Sequence, residues 1–395
     1  MVMIFIIFAI TFTYCFLGNV VSISNGNEIF VRDETYANSL PYEAIFNFGD
    51  SISDTGNVAA FSNKTMPDNS PYGSTYFKHP SGRLSNGRLI IDFIAEAYGL
   101  PFLPAYMNVN NSQVDMKKGV NFAFSGASAL EKIYFARRGI IEPQTDHSLS
   151  VQFEWFKKLK SFMCKSKKGF IITPYIFCFY FKKSLFIVGE IGGNDVLQYI
   201  SSKKFTKIRK VVPYLVESIT HTTISLIKEG AVELVIPGNF PIGCNAGVLT
   251  NLISTKKEDY DELGCLIAYN AFAEYYNEQL KNSIETLRHK YPQAKIIYFD
   301  YYNNLKRLYQ TPQQYGFISD KEEILKACCG GSGPYHVNLE IFCGTGSSTV
   351  CPDPSKYINW DGSHLTEASY KLIAKGLVEG PFANPSLKTP LFNIA

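Results

Sequence analysis

Short apolar runs and longer amphipathic stretches alternate along this chain of 395 residues. The runs with strand-like length and composition lie at 44–48, 120–124, 184–188, 233–236 and 295–299. Helical patterns lie among and after them, at 88–97, 211–229, 261–290 and 366–377. Because short apolar strands that alternate with helices form a parallel sheet covered on both faces, this order predicts an α/β fold.

Several of the predicted strands end in polar turns that are rich in glycine. These turns stand at 49–51, 125–127, 192–195 and 237–239. In sheets of this class, ligands bind outside the carboxyl ends of the strands. We therefore expect the turns to gather at one edge of the sheet and to form the functional site.

Ser51 is the candidate nucleophile, because it ends the turn that follows the first apolar run. The alternative is a strand capped by a polar turn, and Ser53 and Ser125 are rival serines. Serine hydrolysis also needs a base, an acid that orients the base, and hydrogen-bond donors for the oxyanion. Neither Asp50 nor Asp54 is predicted to be the base, and Asp54 is interpreted as a cap of the loop or of a starting helix.

His364 is the candidate base among six histidines, because it stands in the motif WDGSHLTE just before a predicted helix. Asp361 precedes it by three residues, a spacing at which a carboxylate and an imidazole can hydrogen-bond within one loop turn. Such an acid holds the ring in one tautomer and stabilises the imidazolium. The alternative is that Asp361 or Thr366 only caps the helix.

Oxyanion donors are expected from a backbone N–H group in a tight turn and from a side-chain amide. Gly126 and Asn194 fit these two roles, and both stand in the glycine-rich turns. Glycine allows the main chain to approach a substrate closely. Neither residue identifies an oxyanion hole by itself, since such turns are common.

The N-terminal stretch MVMIFIIFAITFTYCFLG carries no charge and is followed by the small residue Ser22. This pattern predicts a signal peptide at 1–22, with a retained membrane anchor as the alternative. The chain is therefore expected to enter the secretory pathway. A loose leader is expected at 23–41, and the sequons at Asn63 and Asn110 are candidate glycosylation sites.

The cysteines agree with secretion. Nine are present, and Cys15 would leave with the signal peptide, so that an even number remains. An even number favours disulfides in a secreted chain, although the pairing stays open. Zinc is the competing explanation, but the spacings lack a clean pair of C-x-x-C motifs, so no metal site is expected. The net charge of +3, without a basic stripe, argues against nucleic-acid binding.

Four motifs stand in the order FGDSISDTGN, GVNFAFSGAS, GEIGGND and WDGSHLTE. With them the chain resembles the plant GDSL-type esterase/lipases of the SGNH hydrolase superfamily, over about 42–381. PGNFPIGC at 237–244 and ACCGGSGPY at 327–335 are similar to the same group. The resemblance implies an α/β fold built as a three-layer α/β/α sandwich with a flavodoxin-like parallel sheet. One domain is then expected at 42–385, followed by a tail at 386–395.

The resemblance also implies roles for individual residues. Ser51 matches the nucleophile, His364 the base and Asp361 its acid partner. Gly126 and Asn194 match the oxyanion-hole positions, together with the N–H group of Ser51. No metal or organic cofactor is implied, and the expected partner is a small-molecule ester. The implied location is extracellular, in the cell wall or in the vacuole.

Two features depart from the family that the chain resembles. The apolar run GFIITPYIFCFYF at 169–181 replaces a shorter, polar link, and Cys164 and Cys178 resemble the cysteine pair that flanks that link. The run is too short to span a membrane, and no span is expected after signal cleavage. A membrane-touching patch or a badly joined stretch of the gene is favoured over an access flap. Val196 replaces an aromatic residue and is expected to line the acyl or alcohol pocket.

Three functions are consistent with these residues. The first is hydrolysis of carboxylic esters through an acyl-enzyme on Ser51, with short-acyl or aromatic esters of small molecules favoured over triglyceride. Specialised metabolites are included among these esters. The second is transfer of the same acyl group to an alcohol, which the sequence cannot separate from hydrolysis. The third is a binding protein without chemistry, which the presence of both Ser51 and His364 disfavours. The oligomeric state stays open.

Overall fold

The computed structural model describes residues 40–62, 69–108, 115–165 and 180–394. Some predictions fall outside these ranges, and they stay predictions. They are the signal peptide at 1–22, the leader at 23–41 except its last two residues, the sequons at Asn63 and Asn110, the pairing of Cys164 with Cys178, and the first part of the apolar run at 169–181. At the end of that run, Phe181 is fully buried in the core.

The predicted alternation of strands and helices is present in the described residues. The strands are Ile45–Phe48 (β1), Gly119–Asn121 (β2), Leu185–Val188 (β3), Glu233–Pro237 (β4), Lys295–Phe299 (β5), Cys329–Gly330 (β6), Thr349–Val350 (β7) and Ala383–Asn384 (β8). The α-helices are Asn57–Ser62 (α1), Ile90–Ala97 (α2), Lys132–Ala136 (α3), Leu149–Lys165 (α4), Gly193–Ser201 (α5), Val212–Lys228 (α6), Ala246–Asn251 (α7), Ile267–Lys290 (α8), Tyr301–Gln310 (α9) and Glu367–Val378 (α10).

The largest difference from the predicted elements concerns the helix expected at 261–290, which begins only at Ile267. Asp261 holds the preceding turn instead, because its carboxylate accepts the N–H group of Leu263 at 3.0 Å. Gly264 in that turn has a φ of +83°, which interrupts any continuous helix. A local bond from a side chain to the backbone therefore replaces the first helical turn.

The main sheet of the described residues has six strands in the order β2-β1-β3-β4-β5-β8. β1 pairs in parallel with β2 on one side and with β3 on the other, so that Phe46 lies opposite Val120 and Phe186. β3, β4 and β5 continue the parallel sheet, and β8 adds an antiparallel edge that is too short for a pattern to reveal. The α/β fold class with a flavodoxin-like order is confirmed. Since the strand order reverses at β1, a crevice forms between the ends of β1 and β3.

Two layers of helices cover the sheet and complete the predicted three-layer sandwich. α2, α9 and α10 pack together in one layer, and α4, α6 and α8 pack together in the other. Every residue of β1 and β3 is buried, as expected for central parallel strands. Phe46 stacks on Phe186 with 5.1 Å between ring centres, and Phe156 of α4 meets both rings edge-on. No helix among the described residues combines the length and the apolar character needed to cross a membrane.

The prediction of disulfides is confirmed in the described part of the chain. The bonds are Cys244–Cys265, Cys328–Cys351 and Cys329–Cys343. The last two bonds close a segment that we call the disulfide lobe, residues 327–351. The N–H groups of Cys328 and Cys329 donate to the carbonyls of Asn359 and Trp360 at 3.0 and 2.7 Å. The lobe therefore holds the backbone that leads into the loop of the WDGSHLTE motif.

Removal of the Cys329–Cys343 bond should destabilise the lobe. The double variant Cys329→Ser/Cys343→Ser opens a loop closed over a sequence separation of 14 residues. We expect the free energy of unfolding to fall by about 3 kcal/mol, because the unfolded chain regains conformational entropy. Urea unfolding followed by circular dichroism measures this loss. An unchanged unfolding midpoint would contradict a stabilising role for the bond.

Candidate active site

Ser51 lies in the tight turn after β1, at the crevice beside β3. Gly49 opens this turn with a φ of +144°, and a Cβ atom there would lie 2.9 Å from the carbonyl oxygen of Glu190. The side-chain amide of Gln152 binds both the N–H group and the carbonyl of Gly49, at 2.9 and 2.8 Å. The backbone before Ser51 is therefore fixed, while Ser51 itself is only half-buried.

A cavity of about 480 Å³ opens over this turn, and most of the predicted site residues line it. These residues are Ser51, Gly126, Asn194 and His364. Ser51, Gly126 and Asn194 follow three neighbouring parallel strands at the carboxyl edge of the sheet, and His364 comes from the loop before α10. Nε2 of His364 is buried and has no hydrogen-bond partner among the described residues. A ring nitrogen that is free in this way can accept a proton from a nearby hydroxyl.

Asp361 lies against the other ring nitrogen of His364. Its Oδ2 and Oδ1 atoms are 2.9 and 3.0 Å from Nδ1 of His364. Oδ1 also accepts the backbone N–H groups of Ser363 and His364 at 2.7 and 2.8 Å. Thr366 caps the following helix, since its hydroxyl accepts the N–H group of Ser369 at 3.2 Å. The loop thus directs the Asp361 carboxylate at the imidazole rather than at the helix.

Electrostatics favour a charged carboxylate and a basic ring in this pair. Burial alone would raise the pKa of Asp361, but the charge of His364 and the hydrogen bonds to the carboxylate hold that pKa at about 2. Burial alone would lower the pKa of His364, but the Asp361 carboxylate, with a smaller contribution from Asp50, raises it above 6.5. His364 is therefore more basic than a free histidine.

The rival serines have structural partners. Asn47 donates to the hydroxyl of Ser53 at 3.0 Å, and the hydroxyl of Ser125 donates to Asp54 at 2.9 Å. Asp54 also accepts the N–H group of Asn57, at the start of α1, at 2.6 Å. The interpretation of Asp54 as a cap is confirmed, and its carboxylate additionally ties the turn after β1 to the turn after β2.

The two candidate oxyanion donors face the same cavity, but Gly126 has open space around it, whereas the Asn194 amide already makes hydrogen bonds. Gly126 has a φ of +80°, and a Cβ atom there would approach only the methyl group of Thr145, at 3.7 Å. Asn194 is in the first turn of α5, and its Nδ2 donates to the carbonyl of Ala127 at 2.9 Å and to Oδ2 of Asp50 at 3.2 Å. For Nδ2 of Asn194 to bind an oxyanion, the longer of these two bonds would have to be exchanged.

Two buried carboxyl groups, Asp50 and Glu190, lie beside Ser51 in the cavity wall. Burial raises the pKa of Asp50 to about 6. Burial, together with the charge of Asp50, raises the pKa of Glu190 well above its usual range. Of this pair, Glu190 is therefore the group whose protonated form is favoured. Glu190 stands in the motif GEIGGND, but the motif does not reveal its pairing with Asp50, because the pairing depends on how the turns after β1 and β3 meet.

Tyr72 is a site residue that the motifs do not identify. Its hydroxyl donates to Oδ2 of Asp361 at 2.7 Å, although the two residues are 289 positions apart. The surrounding Ser-Pro-Tyr-Gly at 70–73 has the composition of an ordinary turn, so no local pattern marks the tyrosine. Only the folded chain shows that Tyr72 contacts the Asp361–His364 pair.

The remaining cavity wall is largely apolar. Its apolar and aromatic side chains include Ile52, Val58, Leu84, Leu197, Phe240, Ile242, Leu305 and Tyr309. Among the described residues that line the cavity, none is a lysine or an arginine.

Val196 is fully buried in the core, so the expectation that it lines the pocket is wrong. The next residue lines it instead, because successive residues of a helix point in different directions.

Residues 45–377 match the family described as GDSL-like lipase/acylhydrolase. The chain belongs to this family. In the part of this GDSL protein that the structure describes, no cluster of His, Cys, Asp and Glu has the arrangement of a metal site.

Curated relatives of this GDSL protein are plant esterases. A GDSL esterase/lipase of Arabidopsis thaliana is 45% identical over 365 residues, which cover 90% of this chain and 95% of that protein. A second one from the same plant is 43% identical over 363 residues, with 90% of each chain covered. The sinapine esterase of Brassica napus is 42% identical over 350 residues, with 87% of each chain covered. The GDSL protein is therefore a carboxylic-ester hydrolase.

The raised pKa of His364 leads to a pH prediction. We expect kcat/KM for ester hydrolysis to rise with pH through a pKa above 6.5, because only the neutral ring can take a proton. Asp361→Asn should move this rise to lower pH, since the carboxylate that raises the pKa is gone, and should reduce kcat/KM by about 10³- to 10⁴-fold. Initial rates with p-nitrophenyl acetate across the pH range measure both effects. A profile with the same midpoint in both proteins would refute this assignment.

Proposed function

We propose that this GDSL enzyme is a secreted serine esterase that cleaves carboxylic esters of small molecules through an acyl-enzyme on Ser51. One observation carries the proposal. Ser51, Gly126, Asn194 and His364 line one cavity, and Nε2 of His364 has no partner among the described residues. Family membership establishes the class of reaction, and this geometry supports the roles of the individual residues.

The first half of the reaction acylates Ser51. Its Oγ attacks the ester carbonyl while Nε2 of His364 takes the hydroxyl proton, and Asp361 stabilises the resulting imidazolium. The N–H groups of Ser51 and Gly126 and the amide of Asn194 bind the oxyanion of the tetrahedral intermediate. The imidazolium then protonates the departing alkoxide. Water, activated by the same ring, releases the acid from the acyl-enzyme in the second half.

The resting contacts of Asn194 suggest how its amide reaches the oxyanion. One N–H group keeps its bond to the carbonyl of Ala127, which holds the side chain in place. The other leaves Asp50, where the bond is the longer one, and turns to the oxyanion. Asp50 is not left unpaired, because the N–H group of Ile52 still donates to its Oδ1 at 3.0 Å. The exchange therefore avoids the cost of an unsatisfied buried charge.

The cavity supports a small ester without a negative charge as substrate. Its volume of about 480 Å³ lies in the range of sites for small molecules, and its walls lack cationic side chains among the described residues. Phe240 and Tyr309 offer aromatic surfaces in that wall. The relative from Brassica napus is named a sinapine esterase, and this supports an aromatic ester as the first substrate to test. A long-chain triglyceride is larger than this cavity.

Secretion is supported by features outside the site. The described residues contain the bonds Cys244–Cys265, Cys328–Cys351 and Cys329–Cys343, and such bonds persist in oxidising compartments. The uncharged apolar stretch at 1–18 and the sequons at Asn63 and Asn110 agree with this route. We propose an extracellular, cell-wall or vacuolar location.

A fluorophosphonate probe should label Ser51, because an activated serine attacks the phosphorus atom and stays covalently modified. Ser51→Ala should abolish the labelling, and Ser125→Ala, a matched control in the rival serine, should retain it. Mass spectrometry of the labelled peptide identifies the modified residue. If the folded wild-type protein takes up no label, the binding-protein function is favoured. If the label is taken up, a second experiment with an ester substrate and an added alcohol separates the two reactions. Transfer of most of the acyl group to the alcohol would identify an acyltransferase.

Asn194→Ala should lower kcat by about 10²- to 10³-fold with little change in KM, because the lost donor acts mainly in the transition state. Steady-state kinetics with an acetate or aromatic ester measure this effect. Asn303→Ala is the matched control, because its side chain on α9 binds Asp300 at an exposed position. Equal losses in the two variants, or a change in KM alone, would argue against the oxyanion role.

A further inference from the structure

The hydroxyl of Tyr72 makes a short contact with the charged carboxylate of the active site. It donates to Oδ2 of Asp361 at 2.7 Å, and the same oxygen lies 2.9 Å from Nδ1 of His364. Burial, together with the adjacent charge of Asp361, raises the pKa of Tyr72 far above its usual range. The hydroxyl therefore stays protonated and acts as a donor. Two donors, a phenol and an imidazole, share one carboxylate oxygen.

The segment that contains this tyrosine is anchored to the residues just after the catalytic histidine. Ser85 donates its hydroxyl to the carbonyl of Leu365 at 2.9 Å, and Asn86 accepts the N–H group of Glu367 at 2.8 Å. Thr75 donates to the carboxylate of Glu367 at 2.6 Å. Because several side chains join the two segments, the contact between tyrosine and carboxylate belongs to a defined interface.

The ring of Tyr72 is also held in place. It meets the ring of Trp360 edge-on, with 5.9 Å between ring centres, and Trp360 is fully buried against the disulfide lobe. On another side Tyr72 lines a second cavity of about 250 Å³, whose wall also contains Asp361 and His364. A ring fixed in this way presents its hydroxyl in one direction, and so it limits rotation of the Asp361 carboxylate.

We propose that Tyr72 is a positioning residue of the active site, which orients the Asp361 carboxylate toward His364 and weakens its attraction for the imidazolium proton. This proposal rests on the proposed esterase function. The hydrogen bond from Tyr72 draws electron density from Oδ2, so that the carboxylate stabilises His364 less than it would alone. The imidazolium then returns its proton to the departing alkoxide more readily. Tyr72 itself is absent from the wall of the substrate cavity, so it acts through Asp361.

Other groups also influence His364, and they stay constant when the tyrosine hydroxyl is removed. Asp50, from the turn after β1, raises the pKa of His364, though less than Asp361 does. Glu190 interacts with Asp50, and burial together with the Asp50 charge raises the pKa of Glu190 well above its usual range. Tyr370 of α10 stays neutral, because burial raises its pKa well above the usual range. A change in the titration of His364 that follows loss of the hydroxyl therefore reports on Asp361.

Tyr72→Phe tests the proposal, because it removes only the hydroxyl. We expect the pKa of His364, measured by NMR titration of its side chain, to rise by roughly half a unit to one unit. The rise of kcat/KM with pH should shift upward by the same amount, and KM should change little. Tyr302→Phe is the matched control, since it removes a tyrosine–carboxylate bond of 2.6 Å to Glu274, away from the cavity. This control should leave the pKa of His364 and the pH dependence of kcat/KM as they are in the wild type.

Two further variants make the test specific. If Tyr72 acts through Asp361, then Tyr72→Phe should have no further effect on kcat/KM in the Asp361→Asn background. Tyr72→Gln keeps an N–H donor on a shorter, flexible side chain, and it should bring the pKa of His364 part of the way back toward the wild-type value. It also provides the comparison should the phenylalanine variant fold poorly.

The proposal is overturned if the pKa of His364 in folded Tyr72→Phe is the same as in wild type or lower. It is also overturned if the effects of Tyr72→Phe and Asp361→Asn on kcat/KM multiply. The titration needs no turnover, so it judges Tyr72 even if Ser51 takes up no fluorophosphonate. Absence of labelling at Ser51 would refute the esterase proposal, and the titration would still decide whether Tyr72 acts on Asp361.

Discussion

The position of β1 between β2 and β3 is the constraint on which the site depends. Because the strand order reverses there, the turn after β1 enters a crevice instead of lying under a crossover. Buried amides fix this turn to its neighbour: Asn121 donates to the carbonyl of Ser53, and Asn57 donates to the carbonyls of Asn121 and Ala123 at 2.9 and 2.8 Å. Each such bond contributes only about 1 kcal/mol, but a buried group without a partner costs about 1–3 kcal/mol. Alternative turns are therefore disfavoured.

The buried acids around the cavity show how local donors decide the protonation state. Asp361 accepts two backbone N–H groups, the imidazole and the hydroxyl of Tyr72, and its pKa stays at about 2 despite burial. Burial raises the pKa of Asp195 to about 7, although it accepts the N–H groups of Ala129 and Leu130. Buried carboxyl groups in the same part of the protein therefore differ in charge: Asp361 stays an anion beside the base, whereas Asp195 titrates near neutral pH.

Much of this fold could be predicted from sequence, because β1 and β3 are short apolar runs and α10 starts at a threonine cap. β8 could not, since two residues carry no period. The start of α8 was displaced by side chain–backbone bonds of Asp261, which compete with the helix.

In the candidate site, too, some features could be predicted from sequence and others could not. Ser51 and His364 lie in local motifs, the sheet topology places Ser51 at the crevice, and tertiary contacts of the loop before α10 place His364 there. The contacts of Glu190 and Tyr72 could not be predicted, because their partners are brought close only by tertiary packing. Val196 was assigned to the pocket wall from a substitution alone, but the rotation of α5 decides which side chain faces the cavity.

The Asp361–His364 pair lies in a loop, outside any regular element, and two separate parts of the chain hold that loop from its two ends. The disulfide lobe donates to the carbonyls of Asn359 and Trp360, just before the pair. The segment around Ser85 and Asn86 binds Leu365 and Glu367, just after it. Since a displacement of about 1 Å in a catalytic group can cost about 10²-fold in rate, a loop needs support of this kind. Asn359 and Leu365 belong to both this loop and the cavity wall, whereas Leu197, Phe240 and Leu305 of the wall come from other elements. Changes at these three apolar side chains can therefore alter the choice of ester without disturbing the geometry that takes the proton from Ser51.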